Sequence, residues 1–220
     1  PAGAVYTTTS DNTRTGIFLP EEEQSVVNDA VRYAVYPADA ASGTLAATSL
    51  EVDFSALAEQ SYYSALGGGT GISTLPMIAR SEDKAFSFQN LCGGVLLQLN
   101  DYQSLGIKIK TVVMTAADGK QIAGTASVDL ESGTIALGSE GDHSSVTVNC
   151  GDGANISSGG NLSKNAGFIL FLPAATYDGF EFVLTDTEGR CYEIATRQSV
   201  TVTAGVVTPL QALPLTIYYG

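Results

Sequence analysis

The one histidine in the chain, His143, lies in Ser139-Glu140-Gly141-Asp142-His143-Ser144, between a carboxylate and a hydroxyl. These are the groups of a proton relay, in which imidazole takes a proton from a nucleophile and the carboxylate orients the ring. Such relays are defined by geometry in space, which neighbours in one polar loop rarely reach, so a loop histidine is the simpler reading. The three cysteines, Cys92, Cys150 and Cys191, form no CxxC pair and have one histidine to share, so no zinc set emerges. Cys92 sits beside Leu91 and Cys150 ends an alternating run. Both read as buried thiols packing as small hydrophobes. At most one intrachain disulfide can form, and the spacing does not choose it.

Two acidic loops have the oxygen chemistry of calcium ligands: Gly151-Asp152-Gly153 with Asn155, and Asp186-Thr187-Glu188-Gly189. Neither repeats the ligand spacing of an EF-hand, and the second reads more simply as a hairpin turn. Gly67-Gly68-Gly69 lacks the lysine and the strand-to-helix setting of a phosphate loop. Asn155-Ile156-Ser157 and Asn161-Leu162-Ser163 fit the glycan acceptor pattern, which marks polar surface and is read by a host with that machinery. Carboxylates are otherwise spread over turns and strand faces, without a pair in opposed environments. The expectation is a protein with no cofactor, no metal and no catalytic set.

The elements that position these residues are extended ones. Leu50, Val52 and Phe54 alternate with Glu51 and Asp53; Phe86 and Phe88 with Ser87 and Gln89; Val146, Val148 and Cys150 with Ser145, Thr147 and Asn149. Phe180, Phe182 and Leu184 share one side, as do Val200 and Val202. A period of two is that of half-buried strands. Asp118-Gly119, Ser132-Gly133, Asp178-Gly179 and Glu188-Gly189 each separate two apolar segments and predict hairpin turns. Gly167–Pro173 has no polar side and predicts a central strand covered on both faces. Over Ile107–Met114 the alternation changes phase, which a bulge, or burial on both faces, would explain. A turn or two of helix fits Phe54–Ala65, and little other helix is expected.

The chain has 220 residues, 24 of them glycine, and a formal net charge of −13. So acidic a surface repels nucleic acid and anionic lipid alike. No apolar run approaches the ~20 residues that span a bilayer as a helix. Read from Pro1 there is no signal peptide, so an exported protein would appear here in mature or trimmed form. The polar stretch Arg80-Ser81-Glu82-Asp83-Lys84 suits a boundary. The expectation is an N-terminal β domain over residues 1–83 and a C-terminal β-sandwich domain over 84–220, with one continuous sandwich as the alternative.

The end of the chain carries an interaction pattern. In Leu213-Pro214-Leu215-Thr216-Ile217-Tyr218-Tyr219, the residues Leu213, Leu215, Ile217 and Tyr219 alternate onto one face. Pro214 cannot donate a ladder bond, so the strand belongs at an edge or at a strand's start. It is either the last strand of its own domain or a donor strand for a neighbouring subunit, where alternate side chains fill pockets. Burial of each apolar side chain would contribute about 1.5–3 kcal/mol before ordering costs.

Five further segments stand in order along the chain: Tyr33-Ala34-Val35-Tyr36-Pro37, Phe86-Ser87-Phe88-Gln89-Asn90-Leu91-Cys92-Gly93-Gly94-Val95-Leu96, Ile122-Ala123-Gly124-Thr125-Ala126-Ser127-Val128, Leu172-Pro173-Ala174-Ala175-Thr176-Tyr177 and Val202-Thr203-Ala204-Gly205-Val206-Val207. Together they resemble the fimbrillin-like proteins of Bacteroides and its relatives. The resemblance runs from about residue 31 to 215. It implies an all-β chain of two antiparallel β-sandwich domains of transthyretin-like, Greek-key type with little helix. It also implies a fimbrial (pilus) subunit or surface adhesin, exported as a lipidated precursor to the outer membrane and assembled by strand exchange after N-terminal trimming. The family's lipid-modified cysteine and first strand have no counterpart in this sequence.

The reading is therefore a non-enzymatic pilus subunit or cell-surface adhesin. Its partners would be other pilin subunits, with Leu213, Leu215, Ile217 and Tyr219 as the inserted side chains. The alternative is a stand-alone or tip adhesin that binds a host glycan or protein without polymerising, through loop tyrosines such as Tyr62 and Tyr63.

Overall fold

A computed structural model of the chain describes residues 6–8, 18–20, 31–46, 48–62, 75–82, 85–101, 104–138, 143–158, 167–211 and 213–215. Apart from two short 3-10 turns, Ala38–Ala40 and Ser55–Leu57, the regular structure among these residues is strand. No helix among them is long and apolar enough to cross a membrane. Of the turn or two of helix expected over Phe54–Ala65, the described residues show the single 3-10 turn Ser55–Leu57, and residues 63–65 lie outside them.

The larger core lies between two sheets. One is five-stranded, in the order Cys191–Ala195, Phe180–Asp186, Lys108–Ala116, Ser145–Asn155 and Glu59–Ser61. The other is built on the long strand Cys92–Asp101, with Gly167–Pro173 antiparallel along one edge. Val95, Leu97 and Leu99, with Phe168, Leu170 and Leu172, meet Val112, Met114, Val146, Val148, Phe180, Phe182 and Leu184. These are the alternate positions of each strand, since successive side chains of a pleated strand take opposite faces. Glycine at position 93 is demanded by a close approach, because a Cβ there would run into the Thr203 carbonyl and Val202.

A smaller core lies between the sheet Ile135–Ala136, Thr125–Asp129, Ser49–Asp53, Ala41–Ala46 and the sheet Arg32–Tyr36, Met77–Ser81, Gln89–Asn90. It gathers Val52, Phe54, Leu57 and Ile78 with Leu91, Cys92, Ala123, Ala126, Val128 and Leu130. Among the described residues the smaller core thus draws its buried members from both sides of residue 83, while those of the larger all follow it and Tyr62 packs against them from before. Thr125–Asp129 pairs antiparallel with Ser49–Asp53, while Glu59–Ser61 joins the larger sheet, parallel to Ser145–Asn155. A third tie is the buried amide of Gln60. Its Nε2 donates to the carbonyls of Leu57 (2.9 Å) and Phe171 (2.8 Å), and its Oε1 accepts the Phe171 N–H at 3.0 Å. One side chain thereby satisfies the outer edge of the strand Gly167–Pro173 at Phe171.

That strand alternates buried with half-buried residues and has strand pairing along one edge among the described residues. The expectation of a central strand covered on both faces is corrected: its outward residues Ile169 and Phe171 are apolar but partly exposed. Two of the four expected hairpins form, Thr125–Asp129 with Ile135–Ala136 and Phe180–Asp186 with Cys191–Ala195. Their turns place Gly133 and Gly189 at positive φ, 74° and 82°, where a side chain would be strained. Asp118-Gly119 and Asp178-Gly179 instead carry the chain from one sheet to another. The phase change in Lys108–Ala116 is a bulge, because the register shifts between Ile109 and Thr111 against both neighbours.

A fragment ending at residue 83 lacks Leu91, Cys92, Ala126 and Val128 of the smaller core and the strand that pairs Ser49–Asp53. It is expected to give a circular dichroism spectrum without cooperative thermal melting. A sigmoidal melt of that fragment would show that residues 1–83 make a self-sufficient domain.

Candidate functional site

The second edge of Cys92–Asp101 is where the end of the chain lies. Val207–Pro209 runs parallel to it with Val207 aligned to Gly94 and Pro209 to Leu96. Leu213–Leu215 continues the same course, with Leu213 aligned to Leu99, Pro214 to Asn100 and Leu215 to Asp101. Main-chain bonds stitch the tail down: Gly205 N–H to the Cys92 carbonyl (2.8 Å), Gly94 N–H to the Val206 carbonyl (2.9 Å) and Leu210 N–H to the Leu96 carbonyl (2.9 Å). Leu210 is itself buried in the larger core. Pro214 thus sits in an edge strand, where its missing donor costs no ladder bond. Ile217 and Tyr219 lie outside the described residues.

The two edges are held unequally. Gly167–Pro173 pairs over seven residues, antiparallel. Among the described residues the tail pairs through two pieces of three residues each, both parallel, an arrangement slightly less stable per residue.

At the end of the long strand are two buried polar residues that the sequence reading passed over, Asn100 and Asp101, each 1% exposed. Asp101 accepts the Gly106 N–H on Oδ2 (2.9 Å), and its carbonyl accepts the Ser104 N–H (3.1 Å). Its Oδ1 has no hydrogen-bond partner among the described residues. By alternation Asp101 takes the same face as Leu97 and Leu99, at the end of the core. An Asn-Asp pair after an apolar run reads as turn chemistry, which is why its burial was not foreseen.

The other candidate groups have structural employment. His143 offers its carbonyl to the N–H groups of Ile122 (3.2 Å) and Ala123 (3.1 Å), and its ring lies against Gly124, where a Cβ would come within 2.6 Å of Cδ2. Tyr62 is half-buried and packs at a tilt against Phe168, with ring centroids 5.2 Å apart and 42° between the planes. Burial first, and Cys150 second, raise its phenol above the ordinary value. Tyr63 lies outside the described residues. Cys92 and Cys150 are buried and Cys191 is exposed, all three free. Burial pushes the Cys92 thiol up, and that of Cys150 up to about 12.

The two acidic loops are neighbours, since a Cβ on Gly153 would meet the Thr187 methyl. Yet Asp186 is already saturated. Its Oδ1 accepts the N–H groups of Glu188 (2.9 Å) and Arg190 (2.8 Å), and its Oδ2 accepts Arg190 Nε (2.6 Å) and the Tyr192 hydroxyl (2.9 Å). Burial alone would raise this carboxyl; the bonds from Arg190, Tyr192 and the backbone outweigh it and hold the group below the usual carboxylate range. Burial, with the hydrogen bond to Asp186 second, pushes Tyr192 up to about 12. The cluster is a latch on the hairpin, with no lone pair directed outward for a ligand.

Fold and site together define an all-β, two-core protein whose last strands close an edge of its own central strand. The chain shares its fold with the crystal structure of a candidate cell adhesion protein from Bacteroides ovatus, at 12% identity and a TM-score of 0.53, covering 90% of this chain and 69% of that one. A second such structure, a candidate cell adhesion protein from Bacteroides thetaiotaomicron, is 12% identical with a TM-score of 0.39, covering 94% of this chain and 78% of that one. No protein-family model and no curated protein matches the chain.

Replacing Asp186 by asparagine should cost about 2–3 kcal/mol, because donors arranged for a carboxylate lose it. The lowered folded-state value means that this stability is complete above the unfolded-chain pKa of about 4 and is lost as pH falls through the folded-state value. Asp118 and Asp129 are lowered too. In Asp118 burial is outweighed by Lys120 and two backbone N–H groups, and in Asp129 the Ser132 N–H leads. Melting temperatures recorded down the acid limb should therefore fall less steeply in Asp186→Asn than in the parent chain. Parallel curves would remove Asp186 from the acid response.

Proposed function

We propose that the chain is a non-enzymatic, exported surface protein of fimbrillin-like kind, a pilus subunit or adhesin that joins its neighbours by exchanging the C-terminal strand. The observation that carries this reading is the unequal hold on the two edges of Cys92–Asp101. The tail is the lesser partner: short, parallel, interrupted, and bearing Pro214. An exchanged strand remakes between chains the contacts it made within one, so the balance turns on effective concentration rather than on new chemistry. Main-chain bonds would supply affinity, and Leu213, Leu215, Ile217 and Tyr219 the side chains that fill pockets.

Other features support the same reading. The Bacteroides ovatus neighbour is named for cell adhesion. A net charge of −13 keeps copies soluble until a specific contact forms. Attachment to the outer membrane would come from a lipidated precursor, with other pilin subunits as partners. The second reading is a tip or stand-alone adhesin for a host glycan or protein, favoured by a tail that already completes its own sheet.

The aligned pair Leu99 and Leu213 gives the test. Two single variants, Leu99→Cys and Leu213→Cys, each in a Cys191→Ser background, are mixed and oxidised under assembly conditions. Exchange predicts a disulfide-linked heterodimer on a non-reducing gel, absent from either variant alone. Free monomers throughout, with the double variant cross-linking internally, would leave the tail as the last strand of its own domain.

A further inference from the structure

We propose that Asp101 selects the strand that takes this edge, favouring a partner strand with a hydroxyl or amine at the position aligned with Asp101, two residues after an apolar one. This rests on the strand-exchange reading and names the partner chemistry of that same edge. The observation is a carboxylate 1% exposed, one oxygen of which receives the Gly106 N–H while the other has no hydrogen-bond partner among the described residues. A buried acceptor left without a donor costs its full desolvation, so whatever strand supplies a donor there gains what the chain's own tail does not.

The register says why the tail does not. Leu213 aligns with Leu99, apolar beside apolar, but Leu215 aligns with Asp101. Aligned positions on adjacent strands lie about 4.8 Å apart on one face, within reach of a hydroxyl or an ammonium group and useless for an aliphatic side chain. The next residue in the sequence, Thr216, carries a hydroxyl. A slip of one residue would bring it to Asp101 only by taking Leu213 out of register with Leu99. The chain's own strand is therefore a placeholder at this position, and so is that of an identical copy. The matching occupant is a strand of a different subunit, reading apolar, any residue, then serine, threonine or lysine.

The test compares isosteres. In the full chain Leu215→Thr and Leu215→Val differ by one hydroxyl, and at an apolar position valine is the more stable. With Asp101 present, the threonine variant should melt about 2–4 °C above the valine variant. In an Asp101→Ala background the order should reverse, and a Ser158→Ala background, which removes the hydroxyl already aligned with Asp101 from the opposite edge, should keep or widen the difference. Valine melting level with or above threonine beside an intact Asp101 overturns the proposal without needing the alanine variant to fold. Fluorescent peptides of the 207–215 sequence with threonine or valine at the last position are then titrated onto the full chain. About tenfold tighter binding of the threonine peptide is expected. Equal binding of both overturns the role of Asp101 and leaves strand exchange standing, whereas binding of neither removes strand exchange and the selection with it.

Discussion

The structure depends on how the long strand Cys92–Asp101 closes its two edges. A strand at the middle of a core cannot leave its backbone donors and acceptors unmet, and an open edge invites pairing with any extended chain. One edge is closed by Gly167–Pro173, whose own outer edge is met at Phe171 by the amide of Gln60. The other edge is closed from the far end of the sequence, by Val207–Pro209 and Leu213–Leu215. The larger core is complete only when the last part of the chain has come home, because Leu210 is among its buried residues.

Much of the fold was legible in the period of two. Val146, Val148, Phe180, Phe182 and Leu184 are all buried, as their alternation required, and the phase change after Ile109 is a bulge. What period and turn chemistry do not carry is which strand comes next in space. Asp118-Gly119 and Glu188-Gly189 look alike in sequence, yet the second turns a hairpin and the first sends the chain across to another sheet. The difference lies in long-range pairing, since Thr125–Asp129 finds Ser49–Asp53 rather than Lys108–Ala116. For the same reason the polar stretch near residue 83 does not bound the smaller core, whose buried residues come from either side of it. Phe86 and Phe88 alternate like a strand but form none, and Phe86 is exposed.

The candidate site was legible in part. Proline beside alternating apolar residues placed Leu213–Leu215 at an edge, and an edge is where it lies. Asp101 was not, because a carboxylate at the end of an apolar strand reads as the start of a turn, while here it is buried and accepts the Gly106 N–H. Tyr62, attractive as a free aromatic, is engaged by Phe168. Asp186, attractive as a cation ligand, spends both oxygens on its own hairpin.

The three thiols divide by reach. Cys191 is exposed on the outermost strand of the five-stranded sheet, while Cys92 and Cys150 lie within the cores with their thiols pushed away from ionisation. A maleimide, which a thiolate attacks, meets one address on the native molecule. A single dye can therefore be carried on that outer strand without altering a residue, and any rise beyond one label per chain counts the molecules that have opened.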